Sequence, residues 1–329
     1  MLAAVLRTHS ARSHPLNIMR MPKPAPGDGE VLLEVLACGV CRTDLHIARG
    51  ELGPHKIDLI PGHQIVGRVL EAPSRPDLIG VRVGVSWLAS VDGTCSYCRS
   101  HKENLCDDFK RTGFDRDGGF AAITTARAES VVPIPDSISD EHAAPLLCAG
   151  AIGYRSMCIA EVKDGQRVGL YGFGSSARIL MPLLQSRGCQ VYVATRALAH
   201  QHQATQMGAM WAGGGFDTPP EALDAAITFA PSGKVVVAAL AAIKKGGIVA
   251  INAVHLDCIP EFDYDHLLWG ERQLRSVANV TLEDVRGILE LAHLVPLRPH
   301  VHTMKLEEAN EALTKLERDE TRASIVLVP

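Results

Sequence analysis

The chain has 329 residues, 47% of them hydrophobic, enough for two domains that each bury a core. Its 33 Lys+Arg stand against 37 Asp+Glu, a near balance that excludes the basic footprint of a nucleic-acid or anionic-membrane binder and leaves a small molecule as the expected partner. No apolar run approaches the roughly 18 residues of a membrane span, Met1 leads directly into a strand-like segment without a secretory leader, and nine cysteines, an odd number, suit reduced thiols, so the expected location is cytoplasmic.

From the N-terminus the texture is strand-rich. Residues 2–6 are strand-like, and the short alternating segments 31–36, 65–70 and 81–85 are punctuated by Pro-Gly and Gly-Asp turns. Between them, Cys41-Arg42-Thr43-Asp44-Leu45-His46 follows an apolar strand, and Gly62-His63-Gln64 follows Pro61. Taken singly each has a bland reading, since a buried cysteine is usually a small core residue and a lone histidine a loop residue.

Asp92-x2-Cys95-x2-Cys98-x7-Cys106 is more specific. Four zinc-compatible side chains crowd into fifteen residues, and two-residue spacers let a turning backbone aim successive donors at one point. The first donor is a carboxylate, which lies at nearly the same distance from zinc as an imidazole nitrogen and makes a harder site than a thiolate. The stretch reads as a structural metal lobe; the alternative is three unrelated loop thiols.

Near residue 150, at Ala144-Pro145-Leu146-Leu147-Cys148-Ala149-Gly150, the texture changes to βαβ. Residues 167–171 predict a buried strand, 176–187 a helix stopped by Gly188 and kinked at Pro182, and 190–194 a second strand. Gly172-Phe173-Gly174-Ser175-Ser176-Ala177 sits between strand and helix, the context a dinucleotide fingerprint requires. Gly172 permits the turn, Gly174 lets amides approach a pyrophosphate, and Ala177 allows close packing. After the second strand stands Thr195-Arg196, where an NAD-binding chain places an acid. With no carboxylate to repel a 2′-phosphate and a guanidinium available to pair with it, NADP(H) is favoured over NAD(H). A helix over 235–242, a strand over 248–253, helices over 282–293 and 306–318 and a strand over 323–328 complete the pattern. Cys158, Cys189 and Cys258 read as core thiols, and His300-x-His302 as a surface strand able to pair imidazoles on one face.

In this order the segments resemble the zinc-dependent alcohol dehydrogenases of the medium-chain dehydrogenase/reductase family. The resemblance spans essentially the whole chain through Cys-x-x-Asp, Gly-His, the cysteine lobe, Leu-Cys-Ala-Gly and the glycine-rich turn. Trp269-Gly270-Glu271-Arg272 is similar to a stretch of bacterial members. It implies an α/β chain: a GroES-like, β-rich catalytic domain over 1–151 and 278–329, and a Rossmann domain with a doubly wound parallel sheet over 152–277. It also implies hydride transfer between a primary alcohol or aldehyde and a nicotinamide cofactor, in a homodimer or homotetramer.

Two zinc ions per chain follow from the resemblance. A catalytic one would be held by Cys41, His63 and Cys148 with the fourth position open, and a structural one by Asp92, Cys95, Cys98 and Cys106. Asp44 would orient His63, Thr43 would pass the alcohol proton to His46, and Arg42 would contact the pyrophosphate with Gly172, Gly174, Ser175, Ser176 and Ala177, while Trp87 and Leu88 would line the substrate pocket. Three departures stand out: Gln64 where glutamate is common, Asp92 for the first lobe cysteine, and Ile152 where many members carry threonine. They motivate an alternative, a zinc- and cofactor-binding protein with little catalysis; another is a reductase of a different carbonyl, such as a cinnamyl or sugar alcohol.

Overall fold

Leu2–Leu6 is almost wholly buried and pairs antiparallel with Leu16–Arg20. The computed structural model describes residues 1–7, 14–53, 56–253, 256–295 and 297–329. They fold as two units, one of residues 1–151 with 279–329 and one of residues 152–278.

In the first unit the sheet order is Val301–Lys305, Ser324–Val328, Glu30–Val40, Gln64–Glu71, Arg82–Val85 and Val131–Pro133, and Ile123–Arg127 also pairs with Glu30–Val40. Only the first pair is parallel. Glu30–Val40 runs longer than the 31–36 expected from its pattern. Gly39 looks like a strand breaker in the sequence, but a side chain there would meet Gln64, whose Oε1 lies 2.9 Å from the position a Cβ would take. Register shifts at Leu32/Leu33 and Val35/Ala37 bend this strand so that it can pair on both sides. Val31, Leu33, Val35, Ile65, Val83 and Leu327 are among the core side chains between its strands and loops. The helix Leu282–Leu294 starts at Thr281 through a capping box in which Thr281 Oγ1 accepts the Asp284 amide at 3.1 Å and Asp284 Oδ2 accepts the Thr281 amide at 2.8 Å.

The second unit is a six-stranded sheet, parallel throughout, in the order Trp211–Gly213, Gln190–Ala194, Arg167–Tyr171, Leu223–Thr228, Ile243–Ile251, Gln273–Ser276. Numbered along the chain, that order is 3-2-1-4-5-6, the doubly wound arrangement of dinucleotide-binding sheets. Arg167–Tyr171 and Gln190–Ala194 match their predicted bounds because both are buried nearly throughout and so read as continuous apolar runs. The fifth strand begins at Ile243, ahead of the expected 248, with its exposed Lys244-Lys245-Gly246 start disguised as a turn. Helix Ser175–Ser186 runs unbroken through Pro182, which lacks the amide that would have bonded Arg178 O.

Candidate active site

Three segments far apart in sequence bring Cys41, His63 and Cys148 together, with one donor atom from each within 4.8 Å of the others. Cys41 Sγ lies 3.3 Å from His63 Nε2. Cys41 is extended, at the end of Glu30–Val40 and the start of helix Arg42–Arg49. His63 follows Gly62, whose φ of 93° favours glycine and whose missing Cβ would sit 2.4 Å from the Phe120 ring. This loop is held by consecutive amides: Gly118 donates to Ile60 O at 2.7 Å, Gly119 to Gly62 O at 2.8 Å and Phe120 to Pro61 O at 2.9 Å, while Asp117 Oδ1 accepts the Ile60 amide at 3.0 Å. Cys148 sits in a π-helical stretch, Leu146–Gly150, between helices Asp140–Pro145 and Ala151–Ile159. Such widened turns are frequent at functional sites.

Asp44, 1% exposed, ties the two loops together. Its Oδ2 accepts the Cys41 amide at 2.9 Å and its Oδ1 the Gly62 amide at 3.2 Å. Oδ1 also lies 3.3 Å from His63 Nδ1, close enough for an ion pair although short of hydrogen-bond geometry.

The field at this cluster favours a cation. Burial by itself would depress the His63 imidazole, but the Cys41 sulfur and the Asp44 carboxylate raise it to about 10. A hydrogen bond with Cys148 holds Cys41 well below the usual thiol range against the effect of burial, and His63 adds to it; the same bond with Cys41, together with burial, pushes Cys148 well above that range. Two sulfurs and an imidazole backed by a buried carboxylate are a donor set that suits zinc with one position left open.

Around the cluster, Trp87 is half-buried and meets the His63 ring edge-on at 4.9 Å, whereas Leu88, expected beside it in the pocket wall, is 1% exposed on strand Leu88–Ser90. Leu88 opens the strand that follows Trp87, and its side chain is buried in the interior. Thr43, next but one to Cys41, helps to lower the Cys41 thiol, and Arg42 is exposed. His46 Nδ1 pairs with Glu51, a residue the sequence does not single out. Gln64 is buried over Gly39.

The lobe assembles as its spacing implied. Asp92, Cys95, Cys98 and Cys106 each place a donor atom within 4.8 Å of the rest. Gly93, at φ 67°, turns the chain so that Asp92 Oδ1 accepts the amides of Thr94 at 2.7 Å and Cys95 at 2.9 Å. Those two amides, the Cys95 one first, hold the Asp92 carboxyl well below the usual carboxylate range. Desolvation and the neighbouring Cys95 push the Cys98 thiol up to about 12. Three thiols and an already ionised carboxylate fit a tetrahedral zinc.

In the second unit, Gly172 turns at φ 95° and Gly174 opens helix Ser175–Ser186. A Cβ on Gly174 would meet nothing within 4 Å, which leaves room for a ligand to approach the backbone at the helix start; Ala177 is fully buried behind it. Thr195 is buried and Arg196 exposed just past the second strand, with Gly215 against the Arg196 stem. Ile152 O accepts the Ser156 hydroxyl at 2.6 Å. Cys189 is buried as expected, but Cys158 and Cys258 are exposed: the first lies on the outer face of its helix and the second in the irregular chain over the start of helix Gly233–Ala242. His300 and His302 are exposed, and the strand there begins at Val301. Trp269-Gly270-Glu271-Arg272 is a turn in which Arg272 donates to the carbonyls of Trp269 at 2.7 Å and Ile243 at 3.0 Å.

The family described as "Alcohol dehydrogenase GroES-like domain" matches residues 27–136. The "Probable alcohol dehydrogenase AdhA" of Mycobacterium tuberculosis is 43% identical to this chain, over 94% of it and 91% of the relative. An alcohol dehydrogenase of Geobacillus stearothermophilus is 33% identical, over 95% of each chain. The crystal structure of the alcohol dehydrogenase from the archaeon Aeropyrum pernix superposes with a TM-score of 0.86 at 25% identity, over 100% of both chains.

Proposed function

The chain belongs to the zinc-type alcohol dehydrogenases of the medium-chain dehydrogenase/reductase family, and from that premise we propose that it is a zinc-dependent, nicotinamide-dependent alcohol dehydrogenase or aldehyde reductase acting on small to medium primary alcohols. The observation that carries this is the convergence of Cys41, His63 and Cys148 from three distant segments. Zinc held by these three would serve as a Lewis acid toward the alcohol or carbonyl oxygen.

The protein's own groups supply the rest. Asp44 fixes the Cys41 and His63 loops in mutual register through the amides it accepts. Thr43 takes the alcohol proton and passes it to His46; a bound nicotinamide would supply the hydride acceptor. Trp87 walls the His63 side of the site. Asp92, Cys95, Cys98 and Cys106 would hold a second zinc, which would cross-link the lobe. Residues 1–151 and 278–329 act as the catalytic domain and 152–277 as the cofactor domain. There Gly172, Gly174, Ser175, Ser176 and Ala177 would hold the pyrophosphate, and Thr195 and Arg196 the adenosine ribose. The absence of an acid beside Arg196 supports NADP(H) over NAD(H). None of the nine cysteines is in a disulfide, which supports a reducing, cytoplasmic setting, and no helix among the described residues is long and apolar enough to cross a membrane.

The test pairs zinc content with turnover. Purified protein should contain two zincs per chain and a Cys148→Ala variant one, and the unaltered protein should reduce a panel of aldehydes with NADPH faster than with NADH. One zinc in both proteins, with cofactor bound but not turned over, would favour the zinc- and cofactor-binding alternative.

A further inference from the structure

The end of helix Arg42–Arg49 is built to hold a carboxylate against His46. Gly50 adopts the left-handed conformation at φ 75°, its amide donates to Ile47 O at 3.0 Å, and the Glu51 amide donates to His46 O at 3.0 Å. These two bonds are the Schellman motif, whose geometry sets the residue after the glycine beside the residue four positions before the glycine. That contact is ordinarily hydrophobic. Here its two members are Glu51 and His46, and the Glu51 carboxylate pairs with His46 Nδ1. A cap that packing alone would fill with an apolar side chain has been given a proton acceptor.

Resting on the relay described under the proposed function, we propose that Glu51 is the positioning residue for proton release through His46. A carboxylate can only accept, so its pairing with Nδ1 keeps the imidazole proton there and the lone pair on Nε2. In alcohol oxidation the substrate carbon loses hydride to the nicotinamide. The hydroxyl proton goes to Thr43, which gives up its own proton to His46 Nε2, and His46 releases a proton to water. Without the Glu51 carboxylate to accept the proton on Nδ1 at the cap, the imidazole can carry it on Nε2 in its resting state, and the relay waits for the right tautomer. Arg49 Nη1 stands 3.9 Å from Glu51 Oε1 and Arg49 also pairs with Glu317, so the carboxylate is itself held in place. On the facing helix Ala309–Glu317, Lys315 is paired with Glu311 at 3.1 Å.

The experiment compares Glu51→Leu, Glu51→Gln and His46→Ala in steady-state alcohol oxidation, with zinc content and thermal midpoint measured on each. Leucine restores the apolar contact the motif usually carries and so keeps the cap folded. Its expected effect is a fall in kcat of roughly 10- to 100-fold, with KM for alcohol and cofactor, zinc content and midpoint unchanged and a larger solvent deuterium isotope effect on kcat. Glutamine keeps an oxygen that accepts from Nδ1 and should recover most of the lost kcat. The role of Glu51 is overturned if Glu51→Leu retains kcat within twofold, if kcat falls only together with zinc or thermal midpoint, or if Glu51→Gln is as impaired as Glu51→Leu. His46→Ala separates this from the underlying reading: full kcat there sinks the relay itself, whereas a loss there beside a fully active Glu51→Leu sinks the positioning role alone.

Discussion

In the cysteine lobe, one oxygen of Asp92 accepts two backbone amides while the carboxylate also stands within the donor cluster. A cysteine at this position would offer a softer donor but no second oxygen for the turn. Asp92→Ala removes both roles, so elemental analysis should find its zinc reduced from two to one per chain, with the set at Cys41, His63 and Cys148 still filled. Asp92→Asn keeps the amide acceptor and loses the charge, and should bind the second zinc more weakly than the unaltered chain while retaining the turn. Two firmly held zincs in Asp92→Ala would show that the carboxylate is not a ligand. The lobe was legible from sequence because its donors lie on one short turn of chain. The Cys41, His63 and Cys148 set became readable only from the order of its motifs, since nothing local in any of the three segments points to the others. Glu51 left no signal at all: an acid after a helix-stopping glycine is unremarkable until the left-handed Gly50 swings it back onto His46.

Among the loops and strands, the segment 117–120 has the largest leverage on the candidate site without supplying a donor to it. Its three amides satisfy three successive carbonyls ahead of His63, and it reaches that close only because Gly118 has no side chain. A Cβ there would lie 2.0 Å from Gly62 O and 2.6 Å from Pro61 O, both backbone atoms that have nowhere to give. Gly118→Ala should therefore push the Gly62-His63 loop away from Cys41. Overpacking of this kind costs about 1–3 kcal/mol. The measurement is thermal midpoint together with zinc: a lowered midpoint with one zinc lost is expected, and an unchanged protein with two zincs would mean the loop can yield. The same dependence on partners explains which elements the sequence revealed. Central strands of the parallel sheet are buried on both faces and announce themselves as apolar runs, but the edge strands Trp211–Gly213 and Gln273–Ser276 are short and half-exposed, and their pairing rather than their composition defines them.

For the whole molecule, the edge of that parallel sheet bears on assembly. Among the described residues Gln273–Ser276 has a strand partner on one side only, so its other side offers a template for a second chain. Close to it in sequence, Tyr264 and Trp269 are 55% and 62% exposed and stack edge-to-face at 6.0 Å, a large apolar surface that a monomer would leave in water. Pairing this edge with its copy would satisfy the strand and cover the aromatics together, and a two-fold axis brings the same patch to both sides of such a contact. Light scattering on the 35.4 kDa chain should therefore give a mass of two or four subunits at micromolar concentration. Replacing both Tyr264 and Trp269 by glutamate places like charges across the two-fold contact and should shift the mass toward the single subunit, with the zinc count unchanged because neither residue lies in the metal-binding unit. An unaltered chain that runs as a monomer would sink this use of the edge. An oligomer indifferent to the glutamates would place the interface elsewhere.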